Sequence, residues 1–284
     1  MTLRKMPADF PLSRLEGSLI KCVNNINTSR AESHPEFTVC FDDSNAFSFS
    51  VSVSKKMIYL PLSSLYYVWA VSCASWGIYK KYQESNTNLI AVTESDIQTE
   101  VNLIKGAKAN ISTSLSTGNF SLHEYAIADE TLKVGDELFL CAMAWIMLHE
   151  IGHIKLNHTD DELSLSSQEE VDADSFATDF VFDENTIPQE FTKRFSGSLL
   201  ALTIILNNDV TDEGGERTHP HATARIEHMF NRSRCDDERS VAIVFPLLMY
   251  FYFDKKGVPP TFDESDDKDY IDYVFELLLQ YVRD

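Results

Sequence analysis

His149 and His153 stand four residues apart where an apolar run, Leu138 to Leu148, gives way to polar sequence, and Glu150 directly follows the first histidine. On an α-helix, positions i and i+4 share a face, so the two imidazoles can offer nitrogen to one zinc ion. A carboxylate at the position of Glu150 suits a general base that takes a proton from water beside that ion. A catalytic zinc has three protein ligands and one open position, so this HExxH spacing leaves one ligand to be found downstream.

His158 comes first, five residues after His153. The pattern that takes a third histidine from the same stretch places it six residues on, after a glycine that turns the chain. Leu156 occupies the glycine's place, and His158 reads instead as a polar residue at a helix C-terminus, where positive charge is favoured. The next source is the acidic segment from Ser166 to Asp174. Ser166 and Glu169 have capping-box spacing, which gives Glu169 a backbone to satisfy and leaves Glu170 free to ligate, with Glu169 as the alternative. Glu170 and Asp174 share a helical face with Ala173, Ala177 and Val181. Acids on such a face need partners, because burying an unpaired charge is costly. Zinc would partner Glu170, and the N–H of a ligand histidine would partner Asp174. Acids in a first helical turn are also favourable without a metal. The nearby HExxH, reached through a loop short enough to fold the helices together, tips the reading toward a ligand.

Thr218-His219-Pro220 and Arg225 form a third group. Pro220 suits the first turn of a helix and keeps His219 extended ahead of it. There His219 can donate to the oxyanion of a tetrahedral intermediate while Arg225 orients nearby acids. A capped helix start with an incidental histidine explains the same residues equally well.

The elements that must position these groups are mostly helical. Phe47, Phe49, Val51 and Val53 alternate with serines, as in a half-buried strand. With 37–41 and 57–60 on either side, residues 1–60 read as a β-rich part holding a small antiparallel sheet. A core helix follows at 62–83. Further helices are expected near 94–106, 136–157, 167–183, 188–208, 220–233, 239–254 and 268–283, with a flexible stretch from Asn110 to Gly118 that is a candidate lid. The fold class is α+β, mostly α-helical. The simplest organisation is one domain over 1–284, with zinc-binding helices at 136–183 and a helical C-terminal part at 188–284.

A net charge of −20 argues against nonspecific binding to nucleic acid or anionic membrane, since both require a cationic surface. The five cysteines include no CxxC pair and read as reduced thiols, and the N-terminus lacks the apolar stretch of a signal peptide, so a cytoplasmic setting is expected. Leu62 to Tyr79 is at the short limit for a membrane span and carries four serines, which favours a buried core helix and no transmembrane segment.

HExxH followed by Glu170-Val-Asp-Ala-Asp174 resembles the gluzincin peptidases, in particular the ExxAD form of the membrane-peptidase and HtpX-like branch, and Thr218-His219-Pro220 with Arg225 resembles that branch's THP…R segment. Longer stretches are closer to another group. Phe139 to Ile146 running into HExxH, Ser167-Gln-Glu-Glu170, Ala173-Asp174 and Ala177-Thr178 resemble the Lit peptidases, bacterial phage-exclusion proteases, as does Leu62 to Ala70. This resemblance implies a zincin-like core and a zinc endopeptidase of the bacterial cytoplasm. It implies zinc on His149, His153 and Glu170, with Glu150 activating water. It also implies cleavage of translation elongation factor Tu, triggered by a phage capsid peptide, which shuts off translation in an abortive infection. No motif for recognising those partners is matched, and 84–134 and 235–284 are where partner choice can differ. The alternatives are the same chemistry on another host or phage regulatory protein, or a catalytically silent zinc-binding protein.

Overall fold

A computed structural model describes residues 5–8, 10–21, 37–42, 47–88, 92–93, 95–112, 127–159, 167–182, 186–209, 222–233, 238–258, 261 and 270–282. A 3-10 turn at Ser13–Leu15, running on into a short helical stretch at 16–21, comes first; three short strands, β1 (Thr38–Asp42), β2 (Ser50–Ser52) and β3 (Met57–Pro61), then precede the main helices. The helices are α1 (Leu62–Asn88), α2 (Gln98–Ser112), α3 (Asp129–Leu156), α4 (Ser167–Val181), α5 (Pro188–Asp209), α6 (Ala222–Ser233), α7 (Glu238–Ala242), α8 (Phe245–Lys256) and α9 (Tyr270–Val282). The chain is thus mostly helical with a small sheet.

Helix α3 is the centre. It packs against α1, α4 and α5, and also touches β2 and β3. From Leu138 to Ile154 most of its side chains are buried, as expected of a helix apolar nearly all round. Asp129 and Glu130 in its first turn complement the helix dipole. Buried residues of the strands and helices join one contiguous core.

The sheet corrects an expectation. Its order is β1-β3-β2, with β2 and β3 antiparallel but β1 and β3 parallel, so it is mixed. The hairpin turn at 53–56 makes the β2–β3 pair. Because β1 takes the far side of β3, two reversals of direction leave those neighbours running the same way. The alternating segment also becomes strand only at Ser50–Ser52. Phe47 instead meets Phe49 and Tyr67 edge to face, anchoring the segment on α1.

Three helix boundaries differ for physical reasons. Helix α3 begins seven residues before the expected 136, and Gly135 lies inside it. A Cβ on Gly135 would stand 2.4 Å from Cys73 Sγ and 2.9 Å from Cys73 Cα, so the glycine permits close approach of α1 rather than a turn. The helix expected at 239–254 is two, α7 and α8, because Pro246 in the first turn of α8 has no N–H to continue a helix from before it. Asn110 to Ser112, expected to open a flexible stretch, close α2 instead, and 113–118 lie outside the described residues.

Within α1 two of the buried serines donate to backbone, Ser72 to Val68 O at 2.7 Å and Ser75 to Ile243 O at 2.9 Å. No helix among the described residues is long and apolar enough to cross a membrane.

Candidate metal centre

His149 and His153 project from the last two turns of α3, and Glu170 from the first turn of α4. The helices come close because α3 carries glycine at the crossing. A Cβ on Gly152 would lie 3.1 Å from Ala173 Cα and 3.3 Å from the Phe176 ring. The approach brings Glu170 Oε2 to 3.4 Å from His149 Nε2, and Glu170 Oε1 to 3.5 Å from His153 Nε2. The two Nε2 atoms are 3.1 Å apart. All three side chains are buried, Glu170 at 1% exposure.

The outward ring nitrogens are engaged elsewhere. His149 Nδ1 lies 2.9 Å from Asp174 Oδ1, and Asp174 also receives Arg225 Nε and Nη2, each at 2.8 Å. Burial works against the charge of Asp174, but the Arg225 guanidinium and the His149 bond outweigh it and hold the carboxyl below its usual range. An ionised carboxylate only accepts, so the proton of His149 sits on Nδ1 and its Nε2 lone pair faces inward. Trp145, one turn earlier on α3, stacks on the His149 ring at 5.9 Å, donates to Thr178 Oγ1 at 3.4 Å and carries Arg225 5.8 Å from its ring centre. His153 Nδ1 meets His158 Nδ1 at 2.9 Å.

Two inward lone pairs and a buried carboxylate call for a positive charge between them. Burial opposes a charge on His149, but hydrogen bonds to Asp174 and Glu170 overcome this and push its pKa up to about 9. Burial and the neighbouring His149 push His153 down to about 3. Without a metal the pair therefore carries a single positive charge through the neutral range, its proton on His149 Nε2 between His153 and Glu170. A divalent ion satisfies the same atoms better. Tetrahedral zinc with bonds of about 2.0–2.1 Å separates its donors by roughly 3.4 Å, close to the spacings found. His149, His153 and Glu170 are thus a group able to hold a metal ion.

The other expected residues are placed as follows. Glu150 is buried on α3 directly after His149. Glu169 stays out of the cluster and accepts from Thr159 N–H at 3.3 Å. Ser166, its expected capping partner, lies outside the described residues, as does His219 with Thr218 and Pro220. Arg225, on α6, reaches Asp174 across the packed α4–α6 contact. Sequence reasoning gave no role to Trp145, although it stands one helical turn before His149, and it assigned His158 only to the helix end.

The family model described as Peptidase U49 matches residues 58–245. The chain belongs to the Peptidase U49 family. It is 30% identical over 220 residues to the cell death peptidase of Escherichia coli (strain K12), a stretch covering 72% of this chain and 73% of that protein. No solved structure matches. The Peptidase U49 region holds α1 to α7 and with them every residue of the buried cluster, while β1 and α9 fall outside it. A peptidase family implies a polypeptide substrate.

Proposed function

We propose that this Peptidase U49 member is a zinc endopeptidase of the gluzincin type, with α3 and α4 as a zincin-like core. The observation that carries the proposal is the convergence of His149, His153 and Glu170, two imidazoles and a carboxylate buried on crossing helices with their Nδ1 positions already engaged. A zinc ion there would polarise a scissile carbonyl and acidify water at its open position. Glu150 would accept the proton from the attacking water and deliver it to the leaving amine nitrogen. Asp174 holds the His149 ring in the ligating tautomer, and Arg225 keeps Asp174 ionised. His219 is proposed as an N–H donor to the oxyanion on the strength of its sequence setting alone.

For the target, the Lit resemblance supports elongation factor Tu, cut in the bacterial cytoplasm when a phage capsid peptide is present. The name of the E. coli relative, a cell death peptidase, agrees with such a lethal outcome. The test is incubation of the purified chain with elongation factor Tu, with and without capsid peptide, and mass spectrometry of the products. Glu150→Gln should retain metal and lose cleavage by at least about a hundredfold. If the factor stays intact while new termini appear elsewhere in a host proteome, and only with active enzyme, the substrate is another regulatory protein. If Glu150→Gln cleaves as fast as the parent, the mechanism fails.

A further inference from the structure

His158 is a buried titratable group that the proposed mechanism does not employ, and it lies beside the metal centre. Its position follows from how α3 ends. Asn157 takes the left-handed conformation at φ 56° and ψ 45°. Its N–H bonds to Ile154 O at 3.3 Å, and the next N–H, of His158, bonds to His153 O at 3.0 Å. This is the double bond pattern of a Schellman ending, which folds the residue after the left-handed one back over the last helical turn. In that motif the side chain two places past the helix meets the side chain five residues before it, usually in an apolar contact. Here the two are His158 and His153, and the contact is a ring-to-ring hydrogen bond between Nδ1 atoms, with centroids 4.9 Å apart and planes at 76°.

We propose that His158 is a positioning residue for the metal centre: its Nδ1 accepts the Nδ1 proton of His153 and thereby commits His153 Nε2 to the ion. The inference rests on the metal-centre reading above. Nε2 of His153 is the nitrogen that faces His149 and Glu170, at 3.1 and 3.5 Å. A neutral imidazole that ligates through Nε2 must carry its proton on Nδ1 and have an acceptor for it. His158 Nδ1 stands at 2.9 Å in that place. His158 is not itself a ligand, because it meets His153 on the ring nitrogen opposite the one turned to the cluster. The two metal histidines are thus supported differently, His149 by a carboxylate locked to an arginine, His153 by a neutral ring delivered by a helix ending.

The test is zinc affinity of the full chain, by competition with a chromogenic chelator at neutral pH, for the wild type, His158→Phe and His158→Asn. His158→Phe keeps a ring and removes the acceptor, and should weaken zinc roughly 10–100-fold. Asn places Oδ1 near the position of Nδ1, so His158→Asn should recover most of that loss. Nitrogen NMR of zinc-loaded wild type should show His153 protonated on Nδ1, a readout that needs no variant to fold. Unchanged affinity in His158→Phe, equal losses in both variants, or a His153 proton on Nε2 each overturn the inference while leaving the metal centre standing. A wild type that takes up no zinc overturns both.

Discussion

At the level of single residues, the centre is governed by where protons can sit. The Nδ1 of His149 is held by an ionised Asp174, so any further proton on that ring must occupy Nε2, between His153 and Glu170. Metal and proton then compete for one place. The His149 pKa near 9 lies above its ordinary value, so metal uptake at neutral pH should release about one proton, and affinity should rise about tenfold per pH unit until the pH passes 9. Calorimetry in buffers of different ionisation enthalpy measures that proton, and a release of zero would mean His149 is already neutral. The same shift favours the metal-free fold below the unfolded value of about 6.5 and is lost as pH rises through 9. Asp174→Ala would remove the buried carboxylate that Arg225, 6% exposed, bonds through Nε and Nη2 and should cost about 3–5 kcal/mol in denaturant unfolding. Because the Asp174 pKa is depressed, its contribution is present above about pH 4 and fades as the pH falls through the folded value. The deficit of the variant should therefore shrink in acid.

Among the elements, the α3–α4 crossing sets the distance between the histidine pair and the carboxylate. It depends on Gly152, where a methyl group would press on the Ala173 backbone at 3.1 Å. Gly152→Ala should lower stability by roughly 1–3 kcal/mol, the usual penalty for overpacking. It should also weaken metal binding, because Glu170 sits one turn before Ala173 and moves with it. Zinc titration of the variant checks this, and wild-type affinity with reduced stability would show that α4 yields elsewhere. This crossing was half legible in the sequence. Periodicity places Glu170 and Asp174 on one face and the two histidines on another, since both relations are local. That Gly152 and Ala173 are the contact points depends on how the helices pack. The same reasoning explains Gly135, which looks like a helix boundary in sequence and is a contact with Cys73 in the fold.

For the molecule as a whole, the candidate centre joins α3, the core of the bundle, to α4, and α4 to α6 through Asp174 and Arg225. An ion bound there stabilises the folded state by mass action, about 4 kcal/mol when free metal is a thousandfold above its dissociation constant. Chelator treatment should lower the melting temperature of the entire cooperative unit, and a melt indifferent to chelator would argue that no ion bridges the helices. The sequence by itself determined the local chemistry: the HExxH pair, the Glu170–Asp174 face, the mostly helical composition and the family resemblance, because each depends on residues a few positions apart or on composition. It did not determine the parallel pairing of β1 with β3, the stacking of Trp145 on His149 under Arg225, or the return of His158 onto His153. The first and second depend on partners brought together from separate elements, which only tertiary packing selects. The last depends on a left-handed Asn157, whose conformation spacing alone does not reveal.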